Sequence, residues 1–237
     1  MMGPKSLRSG FAQLLAAVFC LLAATSLCIA APYDRALALL DPVRLTSRAL
    51  TPALLDFKQK LESRTHGVAT GDTEFFDFTE DRSYRIASDG FEGCVGIVLA
   101  TNKGAIVGHY VQTNQGVEEA AERITALYNE HRDKVAGATP LIYAMVKIDD
   151  ETLQEPEIVQ SHIDMVQALT GKEPRLVDYI NAVDTMVDED GELIEDLDLD
   201  NMQYGALLVE NEGGGNSPTN VIFVDINLIK ESVQPAA

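Results

Sequence analysis

Cysteine is scarce in this chain, and two of its three cysteines, Cys20 and Cys28, lie in an apolar N-terminal stretch. A chain that loses that stretch keeps Cys94 alone and cannot form an internal disulfide. Small secreted domains usually depend on such staples, whereas a longer chain can bury enough core without them. No Asn-x-Ser/Thr sequon is present, so N-glycosylation has no acceptor. Basic residues are few: 18 Lys and Arg stand against 37 Asp and Glu, for a formal charge of −19. That balance repels nucleic acid and anionic lipid and argues against direct binding to either. It suits a solvated surface, or a basic protein partner. Beyond residue 30 no stretch is long and apolar enough to cross a bilayer. The triple glycine Gly213-Gly214-Gly215 is not followed by Lys-Ser/Thr, which excludes a phosphate loop and leaves a flexible hairpin tip.

The N-terminus sets the compartment. Lys5 and Arg8 form a positive start, Phe11 to Leu27 is apolar apart from Gln13, Thr25 and Ser26, and the small residues Ala30 and Ala31 follow. This order describes a secretory signal peptide over residues 1–30, with cleavage after Ala30 or Ala31. Cleavage removes two basic residues and no acidic ones, so the mature chain is two units more negative. About 206 residues remain, enough for one domain. The expectation is a secreted, extracellular protein with no membrane contact after cleavage.

Residues 31–70 read as an N-terminal helical extension. Leu37, Leu39, Leu40 and then Leu54, Leu55, Phe57 and Leu61 are separated by Pro42 and Pro52, which predicts two short helices. They could be a leader removed later or a hairpin packed on the core. From Thr73 the pattern turns to strands: Glu74 to Phe78, Val95 to Leu99 and Ala105 to Val111, the last two joined by the Asn102-Lys103-Gly104 turn. Val117, Ala120, Ala121, Ile124, Leu127 and Tyr128 recur at helical spacing after a cap at Thr113 or Asn114. A strand follows at Leu141 to Ile148, and then a helix from Pro156 closed by Gly171 and Pro174. Arg175 to Ile180, Tyr204 to Val209 and Val221 to Ile226 read as further strands. Helices and strands alternate only in the middle of the chain. The fold class expected over residues 71–233 is therefore α/β (α+β), with mixed, mainly antiparallel sheets layered with helices.

The acidic stretch from Val187 to Asp200 invites a calcium-loop reading through Asp188, Asp190 and Gly191. Aligning Gly191 with the loop's obligatory glycine puts Met186 and Leu197 in ligand positions, so an EF-hand is rejected. A turn at Asp190-Gly191 accounts for the same residues. No pair of histidines has metal-ligand spacing with a carboxylate or cysteine, and neither metal nor cofactor is expected.

Chemistry is sought at Cys94 and His109. If the turn pairs Ala100 with Ala105, His109 sits opposite Gly96, and alternation puts Cys94 on the same face one diagonal step away. Gly96 would leave space between the two side chains, and Gly93 would let a substrate approach the backbone. A histidine beside a cysteine favours the thiolate and then donates a proton to a leaving amine, a pairing suited to attack on a carboxamide. A third group usually orients the imidazole. The candidates are Asp89, Ser88, or a backbone carbonyl in residues 83–89. Taken singly, Cys94 also reads as a small buried hydrophobe and His109 as a strand histidine with a satisfied hydrogen bond. His131, His162 and His66 are placed at a helix end, inside the second helix and in the extension.

Gly93-Cys94, a strand, a turn and His109-Tyr110, with the histidine fifteen residues after the cysteine, resemble the catalytic core of the bacterial cytotoxic necrotizing factors. They are similar, more loosely, to the chemoreceptor glutamine deamidases and to a group of secreted fungal proteins with a Gly-Cys strand and a histidine-aromatic strand. The resemblance covers about twenty residues and the general strand order. Those toxins carry Leu-Ser before Gly-Cys and threonine after it, where this chain has Phe91-Glu92 and Val95. The resemblance implies a deamidase-like sandwich with Cys94 as nucleophile and His109 as base. It implies a protein substrate, such as a host protein met by a secreted effector. A secreted recognition protein that keeps the fold without catalysis is the alternative.

Overall fold

The computed structural model describes residues 51–147, 151–181 and 204–225 in full, and the backbone of 228–233. Expectations placed on 1–50 (signal peptide and first helix of the extension) and on 182–203 (the acidic stretch) lie outside the described residues.

Two five-stranded sheets carry the fold, each mainly antiparallel with one parallel pairing. In chain order the elements are helix α1 (Pro52–Glu62) and strands β1 (His66–Gly67), β2 (Thr73–Asp77), β3 (Tyr84–Asp89), β4 (Cys94–Ala100) and β5 (Gly104–Val111). Helices α2 (Asn114–Glu130) and α3 (Arg132–Val135), strand β6 (Leu141–Val146) and helix α4 (Pro156–Thr170) follow. Strands β7 (Arg175–Ile180), β8 (Ala206–Asn211), β9 (Asn220–Asp225) and β10 (Leu228–Val233) complete it. The first sheet runs β1-β3-β8-β9-β10 and the second β2-β5-β4-β6-β7. The fold is an α+β sandwich of two mixed sheets with helices layered on it.

Three apolar clusters define the layers. Phe76, Tyr84, Ile86, Val98, Val107, Tyr143, Tyr179, Leu207, Val209 and Phe223, drawn from strands of both sheets, are buried together with Phe91 of the β3–β4 loop. Val95, Ile97, Leu99, Ile106, Tyr110 and Ile142 point the other way from the second sheet and meet Ala120 and Ile124 of α2 and Val159 and Val166 of α4. Strand alternation produces the division: in β4 the odd-numbered residues face the helices, and Cys94, Val98 and Ala100 face the first sheet. β4 is buried on both faces, which is why it reads as a continuous apolar run.

Helix α1 covers the outer face of the first sheet. Thr51 caps it by accepting from Leu54 N–H at 3.2 Å, and Pro52 opens it. Leu54, Phe57 and Leu61 bury against Ala87, Ala206, Leu208, Ile222 and Val224. Burial of three such side chains stabilises this layer by roughly 1.5–3 kcal/mol each. Residues 52–70 are thus packed on the core: β1 pairs with β3, and Val68 N–H donates to Ala87 O at 2.9 Å.

Two features differ from the sequence reading. β3 pairs with β8, over one hundred residues later, and no local pattern announces that contact. The triple glycine is held rather than free. All three residues have positive φ, and Gly214 and Gly215 N–H donate to Glu80 O and Phe78 O, each at 2.8 Å. The hairpin tip is docked on the 78–82 turn. Among the described residues no helix is long and apolar enough to cross a membrane.

Candidate functional site around Cys94 and His109

The turn between β4 and β5 sets the register. Thr101 N–H donates to Gly104 O at 2.9 Å, closing a two-residue loop, and Thr101 Oγ1 accepts from Lys103 N–H at 3.0 Å. Ala100 then pairs with Ala105, Gly96 with His109 and Cys94 with Val111. Cys94 and His109 share one face, two positions apart, and that face looks into the space between the sheets.

Ser88 fixes the imidazole. Its hydroxyl donates to Val68 O at 2.7 Å and lies 2.8 Å from His109 Nδ1. A serine has one hydroxyl proton, and Val68 O takes it, so Ser88 Oγ accepts from Nδ1–H. The neutral ring is therefore the Nδ1–H tautomer, and Nε2 is its acceptor nitrogen. Nε2 is 3.4 Å from the Thr70 hydroxyl. Burial pushes the His109 pKa down to about 4, against a small opposing attraction from Asp89. The imidazole is neutral at neutral pH.

Asp89 does not orient the ring. Along β3 it follows Ser88, so alternation turns it to the α1 side, where its half-exposed carboxylate meets Arg64 Nη1 at 3.5 Å. Ser88 faces the second sheet and takes the position expected of Asp89. Thr70 also went unremarked in the sequence, because the β1–β2 connection reaches the site only through tertiary pairing: Gly71 N–H donates to His109 O at 2.7 Å, and His109 N–H donates to Asp72 O at 3.1 Å.

The Cys94 thiol is 4 % exposed and directed at Glu92 O, 3.7 Å away. Burial raises its pKa. A backbone hydrogen bond from Glu92 lowers it, the Glu92 charge raises it, and the Thr70 hydroxyl lowers it. Thr70 is thus beside both reactive groups, which share no direct hydrogen bond in this state. The resting pair is a neutral thiol and a neutral imidazole, not a thiolate–imidazolium pair.

The space over Gly96 is occupied. A Cβ there would meet Phe91 Cε1 at 2.9 Å and Leu207 Cδ2 at 3.1 Å, so glycine is required by the Phe91 ring rather than by an open substrate channel. Phe91 stacks on His109 and edges against Tyr143 and Tyr179. Gly93 adopts φ +71, the left-handed region that suits glycine, and its carbonyl accepts from Gln112 N–H at 2.9 Å. Exposed Glu92 and Val111, the latter 46 % exposed and paired with Cys94, flank the buried thiol.

The other histidines stand apart. His131 ends α2 and stacks on Phe75. His66 lies in β1, with Nδ1 at 2.9 Å from Thr65 Oγ1. His162 is fully buried in α4, and neither ring nitrogen has a hydrogen-bond partner. Among the described residues no group of three or more His, Cys, Asp or Glu gathers as a metal site. No protein-family model matches the chain, and no curated protein matches it.

Proposed function

We propose that this is a secreted, thiol-dependent protein-glutamine deamidase-like protein in which Cys94 is the nucleophile, His109 the base and Ser88 the group that orients it. The observation that carries the reading is Ser88 beside Nδ1: it leaves Nε2 as the proton-accepting nitrogen of the ring, on the face that holds the thiol and beside the Thr70 hydroxyl.

The neutral resting state selects a general-base route. Nε2 takes the thiol proton as Sγ attacks the carboxamide carbon, so thiolate forms only with the new C–S bond. The C–N bond then breaks, the proton on Nε2 passes to the departing nitrogen, and ammonia leaves a thioester. Water, deprotonated by the same Nε2, attacks the thioester carbon, and the thiol regains its proton as glutamate is released. A positive Nδ1–H···Oγ interaction at Ser88 stabilises the imidazolium in both halves.

A protein substrate, rather than free glutamine, suits the acidic surface. A basic partner met outside the producing cell is the class this charge favours. Ammonia release from a panel of basic and neutral protein substrates tests the reading, with Cys94→Ala and His109→Ala as controls. Wild-type protein inactive across that panel overturns it.

A second reading rests on Phe91. Its ring is packed flat on His109, and both reactive side chains are buried. A recognition protein that keeps the fold without turnover accounts for that closure directly. Binding of a protein partner that survives Cys94→Ala, with no ammonia released by the wild type, separates it from the first.

A further inference from the structure

The peptide of Cys94 is held in an unusual way. Gln112 N–H donates to Gly93 O, which makes Gly93 and Gln112 a hydrogen-bonded pair across β4 and β5. Alternation of the antiparallel ladder then turns the N–H and C=O of Cys94 toward β6. The β4–β6 pairing, however, begins only at Val95 with Ala144. Met145, the next residue of β6, gives its carbonyl to Gln154 N–H at 3.0 Å. The Cys94 peptide would be left as a buried, unsatisfied donor and acceptor. Instead the Tyr179 hydroxyl reaches over from β7: it accepts from Cys94 N–H at 2.8 Å and donates to Cys94 O at 2.7 Å.

We infer that Tyr179 is the positioning residue of the nucleophile, a clamp that substitutes one phenolic hydroxyl for the missing ladder partner and so fixes where the Cys94 side chain leaves the sheet. A tyrosine is suited to this task, because one oxygen offers both a proton and lone pairs. The ring anchors the hydroxyl: it packs at a tilt against Tyr143 and meets the edge of Phe91, the residue that lies on His109. One aromatic cluster thus touches both halves of the pair, the thiol through its backbone and the imidazole through its face. The role in turnover rests on the reading of Cys94 as nucleophile; the clamp itself does not.

The test compares Tyr179→Phe with Tyr143→Phe. The control removes a hydroxyl from the same cluster, one that donates to Val224 O at 2.8 Å. The readouts are iodoacetamide labelling of Cys94 in the folded protein and hydrogen exchange of the Cys94 amide. Tyr179→Phe is expected to label roughly tenfold faster than wild type, as loss of one local hydrogen-bond pair allows, while Tyr143→Phe stays near wild type. In the wild type the Cys94 amide should exchange as slowly as Gly96, a measurement that needs no variant to fold. On an active substrate, Tyr179→Phe should lower kcat with little change in KM. Equal labelling of the two variants, or a wild-type Cys94 amide that exchanges like a loop amide, overturns the clamp. Absence of ammonia release by wild type sinks the deamidase reading and leaves labelling and exchange to judge the clamp alone.

Discussion

The rings of Phe91 and His109 lie 3.9 Å apart and 10° from parallel, so the base of the proposed site is roofed by an aromatic side chain from the β3–β4 loop. A neutral imidazole tolerates that contact and the surrounding apolar core; the low pKa of the ring, about 4, records the same preference. The roof also ties the site to Gly96, whose missing side chain makes room for it.

Gly96→Ala is expected to destabilise the fold by about 1–3 kcal/mol, the usual cost of overpacking a buried contact. Phe91 would have to leave its stack on His109. Urea denaturation checks the loss. Unchanged stability would mean that the ring moves freely.

Ser88→Ala removes the acceptor of Nδ1–H and the donor to Val68 O at once. Two buried polar groups lose their partner, at about 1–3 kcal/mol. Activity on a protein substrate should fall with it, because the ring is no longer held in the Nδ1–H tautomer. Asp89→Asn, facing Arg64 on the other side of the strand, should leave turnover close to wild type. The reverse ranking in an ammonia-release assay would return Asp89 to the site.

Acid should weaken the fold in a defined window. His109 and His162 both have pKa values lowered to about 4 by burial, below the ordinary 6.5. Between those values the unfolded chain binds more protons than the folded one, so stability rises with pH through the window and is lost as pH falls from 6.5 toward 4. Each histidine accounts for up to roughly 3 kcal/mol of the change. Thermal unfolding at a series of pH values should show the slope, and His162→Leu should reduce it. A flat profile from pH 7 to pH 4.5 contradicts the buried neutral state.

Alkylation of the resting protein should be slow near neutral pH, since burial both hides the Cys94 thiol and raises its pKa. Slow labelling therefore accompanies either functional reading, and fast labelling would show that the pair opens in solution. Cys94→Ala should cost only about 1–2 kcal/mol, as deletion of a small buried group does.

Material recovered from the medium should begin at Ala31 or Pro32. Intact-mass measurement reads this directly, and a retained 1–30 segment would overturn the signal-peptide assignment.

The Cys94–His109 relationship was legible because it is local: a two-residue loop and period-two alternation set it, and both are written in residues 94–111. The α2 cap at Thr113 and the left-handed Gly171 that closes α4 were legible for the same reason. Thr70, Phe91 and Tyr179 were not, and Ser88 stood only as a candidate beside Asp89 and a backbone carbonyl. Each reaches the pair through a contact between elements distant in sequence, and Ser88 lies on a strand whose partner is β8. Asp89 looked the better orienting group because charge is visible in a sequence, whereas the facing of one strand residue against the next is decided by the sheet it joins.

Residues 51–70 bring a constraint on processing. This short N-terminal stretch supplies Val68 O, which consumes the Ser88 proton, and the Thr70 hydroxyl, which sits beside thiol and imidazole. A protease that trimmed the chain past this stretch would free Ser88 to donate, remove the reason for the Nδ1–H tautomer and strip α1 from the first sheet. On the proposed function, processing that keeps activity stops before Thr51, and removal of residues 51–70 would dismantle the site.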